Sequence, residues 1–264
     1  NIGEPRLERD GQAKSTNEAR TPKASTMNQP RASIVIPTYN RGHRLARCLD
    51  SIPWRTENNL EIIVVDDGST DDTQERVTAY ADLGAPIKAI RFAVNRGVGA
   101  ARQAGVAEAT APIILWLDSD DEWLPDAYET FLNAMEAPDG PEAMQVQFIN
   151  RLEPGNAWPE WIPMEQRDLP IHVSGFGSMA VRRETLLKVP IEGALRVGED
   201  VEWVLRAKRL GVRFAQVEKA ALIRWIGEDN LCHRRQEINA ALKSVLLTHA
   251  RLNAKARLKS SEKD

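Results

Sequence analysis

The chain has 264 residues and a formal net charge of −3, from 35 Lys and Arg against 38 Asp and Glu. That length makes one large domain or two small ones, and 16 Gly and 15 Pro exclude collagen-like and low-complexity chains. No apolar run reaches the roughly 18 residues that span a bilayer, no secretory h-region opens the chain, and the near-neutral balance gives no reason to expect nucleic acid. Cys48 and Cys232 lie far apart without a CxxC, so neither a disulfide framework nor a zinc site is signalled, and a soluble cytoplasmic protein is the expectation.

Residues 1–32 are polar and charge-mixed with no sustained period, which reads as a disordered or appended extension, with Met27 as an internal start. From Ser33 a βα alternation begins. SIVIP is a buried parallel strand, and Asn40 is placed to cap a helix through Ser51 that carries Leu45, Cys48, Leu49 and Ile52 on one face. LEIIVVDD (Leu60–Asp67) is a second strand, followed by a helix from about Asp71 to Ala81. IKAIRFA is a third strand, and a Gly/Ala-rich helix runs from Gly97 to Ala109. PIILWLD (Pro112–Asp118) is the fourth strand, after which Pro125 opens a helix. Strands alternating with short helices predict an α/β fold with a Rossmann-like, mostly parallel sheet flanked by helices.

After Asp139 the pattern changes. AMQVQFINRL alternates as a strand with one wet face, and a polar, Trp-rich stretch leads to Pro170. HVSGFGSMAVRR is strand-like, and a short helix near Glu184 and a longer one from Asp200 to Leu210 come next. AALIRWI is an apolar strand, and Arg234–Lys259 is helical. This mixed second half makes the sheet's other part.

In an open α/β sheet, ligands bind beyond the carboxyl ends of the strands. Three strand ends here are polar: Thr38-Tyr39-Asn40, Asp66-Asp67-Gly68-Ser69 and Asp118-Ser119-Asp120-Asp121. Two carboxylates at i, i+2, Asp118 and Asp120, make a hard oxygen pair suited to Mg²⁺ or Mn²⁺. Asn95–Arg102 carries a GxG that opens a helix and imitates a dinucleotide fingerprint, but Arg102 stands where its third glycine belongs. Gly198-Glu199-Asp200 begins a helix, where acids complement the dipole and one of them can serve as a general base.

PTYNR (37–41), VVDDGSTDDT (64–73), NRGVGAARQAG (95–105), LDSDDEW (117–123) and GEDVEWVLRAKRLG (198–211), in this order, resemble family 2 glycosyltransferases of the GT-A fold, from about Ser33 to Cys232. The resemblance implies a GT-A domain over residues 33–233, with a nucleotide-sugar-binding half (33–124) and an acceptor-binding half (125–233), then a C-terminal helix and basic tail (234–264). It implies a nucleotide-diphosphate sugar donor, most often UDP-linked, and transfer with inversion. By position, Pro37, Tyr39, Asp67 and Arg102 contact the nucleotide, joined by Asp118 and Ser119 of the DxD loop. Asp118 and Asp120 hold Mn²⁺ or Mg²⁺, with Asp120 the direct ligand. Asp200 is the general base, and Gly175, Met179, Glu199 and Trp203 lie on the acceptor side.

Many relatives have a histidine where this chain reads Ile223-Arg224-Trp225-Ile226-Gly227, and His233 is the candidate replacement as metal ligand. The missing histidine keeps open a nucleotide-sugar-binding protein without turnover, and the GxG keeps open a nicotinamide dehydrogenase. The acceptor stays open among glycan, lipid-linked, peptide and small-molecule classes. From Ala241 to Asp264 six Lys/Arg face two Asp/Glu, which allows peripheral contact with an anionic membrane, against the simpler expectation of a docked helix with a basic end.

Overall fold

The structure, a computed structural model, describes residues 29–172, 175–228, 230 and 235–261. Most of the expected N-terminal extension (1–28) and His233 lie outside the described residues.

Strands β1 (Ala32–Thr38), β2 (Leu60–Asp66), β3 (Ile87–Arg91) and β4 (Ile113–Trp116) alternate with helices α1 (Gly42–Ser51), α2 (Thr73–Asp82) and α3 (Val98–Glu108). The four strands are parallel, in the order β3-β2-β1-β4. β1, β2 and β4 are continuous apolar runs because helices cover both faces of the sheet there. Their side chains divide with period two. Ile34, Ile36, Ile62, Val64, Ile113 and Leu115 pack with Leu45, Leu49, Val77 and Phe131 on one side. Val35, Ile63, Val65, Ile114 and Trp116 pack with Ala101, Val106, Leu186 and Trp203 on the other.

The second half adds β5 (Glu122–Trp123), α4 (Ala127–Met135), β6 (Ala143–Leu152), β7 (Pro170–Ile171), β8 (Met179–Arg182), α5 (Arg183–Lys188), α6 (Glu199–Arg209), β9 (Phe214–Ile226) and α7 (Arg235–Ser261). Its strands continue the same sheet as β4-β8-β6-β9-β5, with β7 on β6. β8 runs antiparallel to β4 and β6, and β5 antiparallel to β9, so this half is mixed, as expected, beside the parallel first half.

Three local expectations are corrected. Asn40 does not cap α1. It sits at φ +52° and its side chain accepts from the Thr70 N–H at 2.8 Å, while Asp71 and Thr73 of the neighbouring loop take the Gly42 and Arg41 amides. β6 is wet on one side only toward its end, since Ala143–Val146 is buried on both faces between the two cores. Among the described residues of HVSGFGSMAVRR, Met179–Arg182 is strand and Phe176–Ser178 is a single 3₁₀ turn.

α7 docks on α6 through buried Val245 and His249, with the His249 ring 3.3 Å from the Arg209 guanidinium, while Leu246, Leu247 and Leu252 are exposed. Among the described residues no helix is long and apolar enough to cross a membrane.

α3 lies close on β1 because position 105 is glycine. A Cβ there would fall inside the van der Waals radius of Val35 Cγ1, a buried β-branched side chain on a central strand. Gly→Ala inside a helix is ordinarily worth about 1 kcal/mol of stability. At Gly105 we expect net destabilisation instead, because overpacking costs about 1–3 kcal/mol. Urea unfolding of Gly105→Ala, Val35→Ala and the double variant checks this: Val35→Ala should cost less in the Gly105→Ala background than in the parent.

Candidate active site

The strand order reverses between β1 and β4, since β2 and β3 lie on one side of β1 and β4 on the other. Because these strands are parallel, the polar ends of β1, β2 and β4 share one edge, and the crevice opens between the loops after β1 and β4. Asp67 closes one side of it. Its carboxylate accepts from the Arg96 and Gly97 amides at 2.6 and 2.8 Å, and Gly97, at φ +94°, makes the turn into α3. Tyr39 is exposed at the mouth, Pro37 is buried within β1, and Ser119 is buried in the turn after β4.

At the centre is Arg102, buried on α3. Its Nη2 donates to Asp118 Oδ1 at 2.7 Å, its Nη1 donates to Glu199 Oε1, and its guanidinium lies 5.3 Å from the Phe176 ring centre. Burial works against its charge, but Asp118, Glu199 and Asp200 overcome this and hold its pKa above the usual value. Asp118, the acid about twenty residues past the GxG that a nicotinamide reading would give to a ribose, is thus already paired with this chain's own arginine.

Asp118 Oδ2 lies over Gly177, where a Cβ would sit only 3.0 Å from it. Asp120 Oδ2 accepts from Asn230 Nδ2 at 2.9 Å, with Arg41 at 3.6 Å and Arg44 at 3.9 Å. Burial and the charge of Asp118 raise the Asp120 pKa, and burial together with both neighbours raises Asp121 well above the ordinary aspartate value. Among the described residues no three His, Cys, Asp or Glu side chains converge as a metal-holding group. Asp118 and Asp120 by themselves offer two hard carboxylate donors, a set that fits a divalent cation keeping open positions for phosphate oxygens.

Asp200 stands in the first turn of α6, with Oδ2 3.5 Å from where a Gly175 Cβ would be. Burial raises its pKa against the pull of Arg102. Glu199 points inward, and burial lifts it to about 7, also against Arg102. Two residues expected on the acceptor side are core instead. Trp203 is fully buried, its indole N–H donating to Val189 O at 2.7 Å and its ring stacked near Phe176 and Phe214. Met179 is 1% exposed. Large apolar side chains on the inner faces of α6 and β8 fill the interior, so they line no crevice. Asn230, Asp121, Arg41 and Arg44 were not singled out. The spacing of Arg41, Arg44 and Arg47 along α1 carries a signal for the cationic face, whereas nothing local marks Asn230.

The family model for Glycosyl transferase family 2 matches residues 33–188, more than half of the chain. The chain belongs to glycosyl transferase family 2. It is similar to an uncharacterized glycosyltransferase of Haemophilus influenzae, 29% identical over 184 residues, which are 66% of this chain and 60% of that protein. It is also similar to the uncharacterized glycosyltransferase YibD of Escherichia coli, 37% identical over 100 residues, 38% of this chain and 29% of that one. The chain therefore spans only part of the length of these curated relatives.

Among solved structures, the mannosyltransferase PcManGT from Pyrobaculum calidifontis, in complex with GDP-Man and Mn²⁺, superposes with a TM-score of 0.65 at 20% identity, over 84% of this chain and 65% of that one. S. aureus TarS 1–349 in complex with UDP-GlcNAc gives 0.59 at 21% identity, over 76% and 60%. The fold of this family 2 chain is GT-A.

The lifted carboxylates at the family 2 site set a pH dependence. Between the ordinary glutamate value of 4.5 and about 7, the folded chain keeps a proton on Glu199 that the unfolded chain has released. Its contribution to stability is therefore complete below the unfolded pKa and is lost as pH rises through about 7. Thermal unfolding followed from pH 5 to pH 8 (about the window these values define) should show declining stability in the parent and a shallower decline in Glu199→Gln.

Proposed function

We propose that this chain is an inverting glycosyltransferase that moves a sugar from a nucleotide-diphosphate donor, with UDP-sugars favoured, to an acceptor hydroxyl or other nucleophile. The observation that carries this reading is the Arg102 bridge. It joins Asp118, at the end of β4, to Glu199, next to Asp200 at the start of α6, so diphosphate-side carboxylates and a general-base candidate share one crevice. The GDP-Man and UDP-GlcNAc bound in the two structural neighbours support the donor class, and the Mn²⁺ bound with GDP-Man supports a divalent metal.

Asp118 and Asp120 are the residues that would hold Mn²⁺ or Mg²⁺, which when bound would offset charge on the departing diphosphate. The protein's own groups do the rest. Tyr39 and Asp67 border the nucleotide. Arg102 fixes the Asp118 carboxylate, while Arg41, Arg44 and Asn230 fix that of Asp120. The acceptor oxygen attacks the anomeric carbon as the bond to the diphosphate oxygen breaks. Its proton passes to Asp200, and the bonding pair leaves with the diphosphate. One base opposite one leaving group gives a single displacement, hence inversion. Burial raises the Asp200 pKa above the ordinary aspartate value, which makes it a stronger proton acceptor than a solvated aspartate.

Two variants test the assignment. Asp120→Ala should retain its fold by circular dichroism and lose most Mn²⁺-dependent UDP binding by calorimetry. Unchanged metal-dependent binding would remove Asp120 as the ligand. Asp200→Asn should bind UDP-sugar nearly as the parent does, with UDP release under saturating donor and acceptor reduced roughly 10²-fold or more, the usual scale for losing a general base. Glu199→Gln should be impaired less. Transfer by Asp200→Asn at close to the parent rate would refute this mechanism.

A further inference from the structure

The loop between β6 and β7 spans residues 153–169, longer than the roughly 12–15 residues beyond which loops with little structure of their own are usually functional. It is a built surface. Pro154, Pro159 and Pro163 stiffen it, Ile162 anchors it at 1% exposure, and the Asn150 side chain donates to Gln166 O at 2.8 Å. Asn156 Oδ1 accepts from the Glu228 N–H at 3.2 Å, pinning the loop to the segment after β9. Between the two lies a groove of about 460 Å³, walled by Trp158, Glu160 and Trp161 on the loop and by Ile226, Gly227 and Glu228 opposite.

From this groove we propose a saccharide subsite: an uncharged sugar unit of the acceptor stacks on Trp158 and Trp161. The assignment as acceptor rests on the glycosyl-transfer reading above. The volume falls within the range of small-molecule sites, which pair aromatic walls with a few polar groups. Both indoles are half-buried, and the Arg167 guanidinium, 5.4 Å from the Trp158 ring centre, braces that ring while its Nε donates to Ile162 O. A pyranose presents a flat C–H face to such rings and hydroxyl donors at its edge, and the carboxylates of Glu160 and Glu228 accept from those hydroxyls. The same carboxylates repel uronates and phosphates, so the occupant is a neutral sugar rather than the donor diphosphate or an anionic lipid headgroup.

The groove is tied to the crevice by a chain of hydrogen bonds. The Gly227 N–H donates to Asn230 Oδ1 at 2.5 Å, and Asn230 reaches Asp120. A Cβ on Gly227 would collide with the guanidinium of Arg44, which itself faces Asp120. One backbone strip therefore serves as groove wall on one side and as support for Asp120 on the other. A sugar held there places the neighbouring unit of the same glycan toward the crevice.

The test uses the whole chain on a printed array of neutral and uronate-containing oligosaccharides, with UDP and Mn²⁺ binding measured separately by calorimetry. The parent should retain neutral oligosaccharides in preference to uronates. The Trp158→Ala/Trp161→Ala variant should lose that signal by at least about tenfold, as for removal of aromatic anchors, with its UDP and Mn²⁺ binding unchanged. Trp158→Tyr/Trp161→Tyr, which keeps the flat faces, should retain most of the signal, and Glu160→Lys should shift preference toward uronates. Absence of any retained neutral oligosaccharide, retention undiminished in the Ala variant, or a signal on charged glycans alone each overturns the proposal. If UDP and Mn²⁺ bind the parent while no glycan does, the subsite fails and the transfer reading stands. If glycans bind through the tryptophans but UDP does not, the transfer reading fails instead.

Discussion

A buried guanidinium is the constraint around which this molecule is arranged. Arg102 is removed from water and its charge is met by two carboxylates from different parts of the chain, Asp118 and Glu199. Stripping an ion of its hydration is expensive, and only close, well-directed partners offset that. Two donors on one planar fork reach two separate acceptors at once, a geometry that the single ammonium of lysine does not reproduce. The bridge also needs the elements to come close, and glycines permit it. Gly99 lets α3 approach the loop before α6, since a Cβ there would lie 2.8 Å from Leu195 O and 3.4 Å from Glu199 Cγ. In this chain the second glycine of the GxG serves contact with protein backbone.

This explains why a dinucleotide pattern and a different site look alike in sequence. The missing third glycine reads as a packing fault, yet the close helix–strand approach is supplied three residues beyond Arg102, by Gly105 against Val35. Arg102 instead faces the carboxyl edge, above an aromatic pile in which Phe176 contacts both Trp116 and Trp203. That pile is what the Trp203 prediction missed. An aromatic in an acidic helix start reads as a site residue, but 3.6-residue periodicity turns Trp203 inward with Val204 and Ala207, into the core.

The parallel half was legible because its signal is local: strands buried on both faces are unbroken apolar runs, and their ends carry turn chemistry. The antiparallel extension was less so. β6 reads as an alternating strand until one knows that β8 and β9 flank it and that cores lie on both faces of its first residues. Asn40 has a cap residue's chemistry, but the loops after β1 and β2 meet, and its amide is used between them. Asn230 belongs to the same class. Its contacts with Gly227 and Trp225 are those of a local turn, but its reach to Asp120 is set by where β9 ends in space, and no spacing along the chain encodes that.

The electrostatics of Asp118, Asp120 and Asp121 follow from that same long-range geometry. Read along the chain, an acidic turn of this kind is a solvated feature, free to relax its repulsion into water. Folded, it is walled by the end of β9 and by α1, and the relief must come from fixed groups. Arg102 takes one carboxylate, Arg41 and Arg44 flank the second, and Arg224 moderates the third. Burial, reinforced by the neighbouring carboxylates, outweighs these cations, and Asp120 and Asp121 hold their protons more tightly than ordinary aspartates. The arginines hold these carboxylates in place against their mutual repulsion. Asn230 adds a neutral donor to Asp120 and, through the Gly227 amide, joins it to the strip that also walls the tryptophan-lined groove.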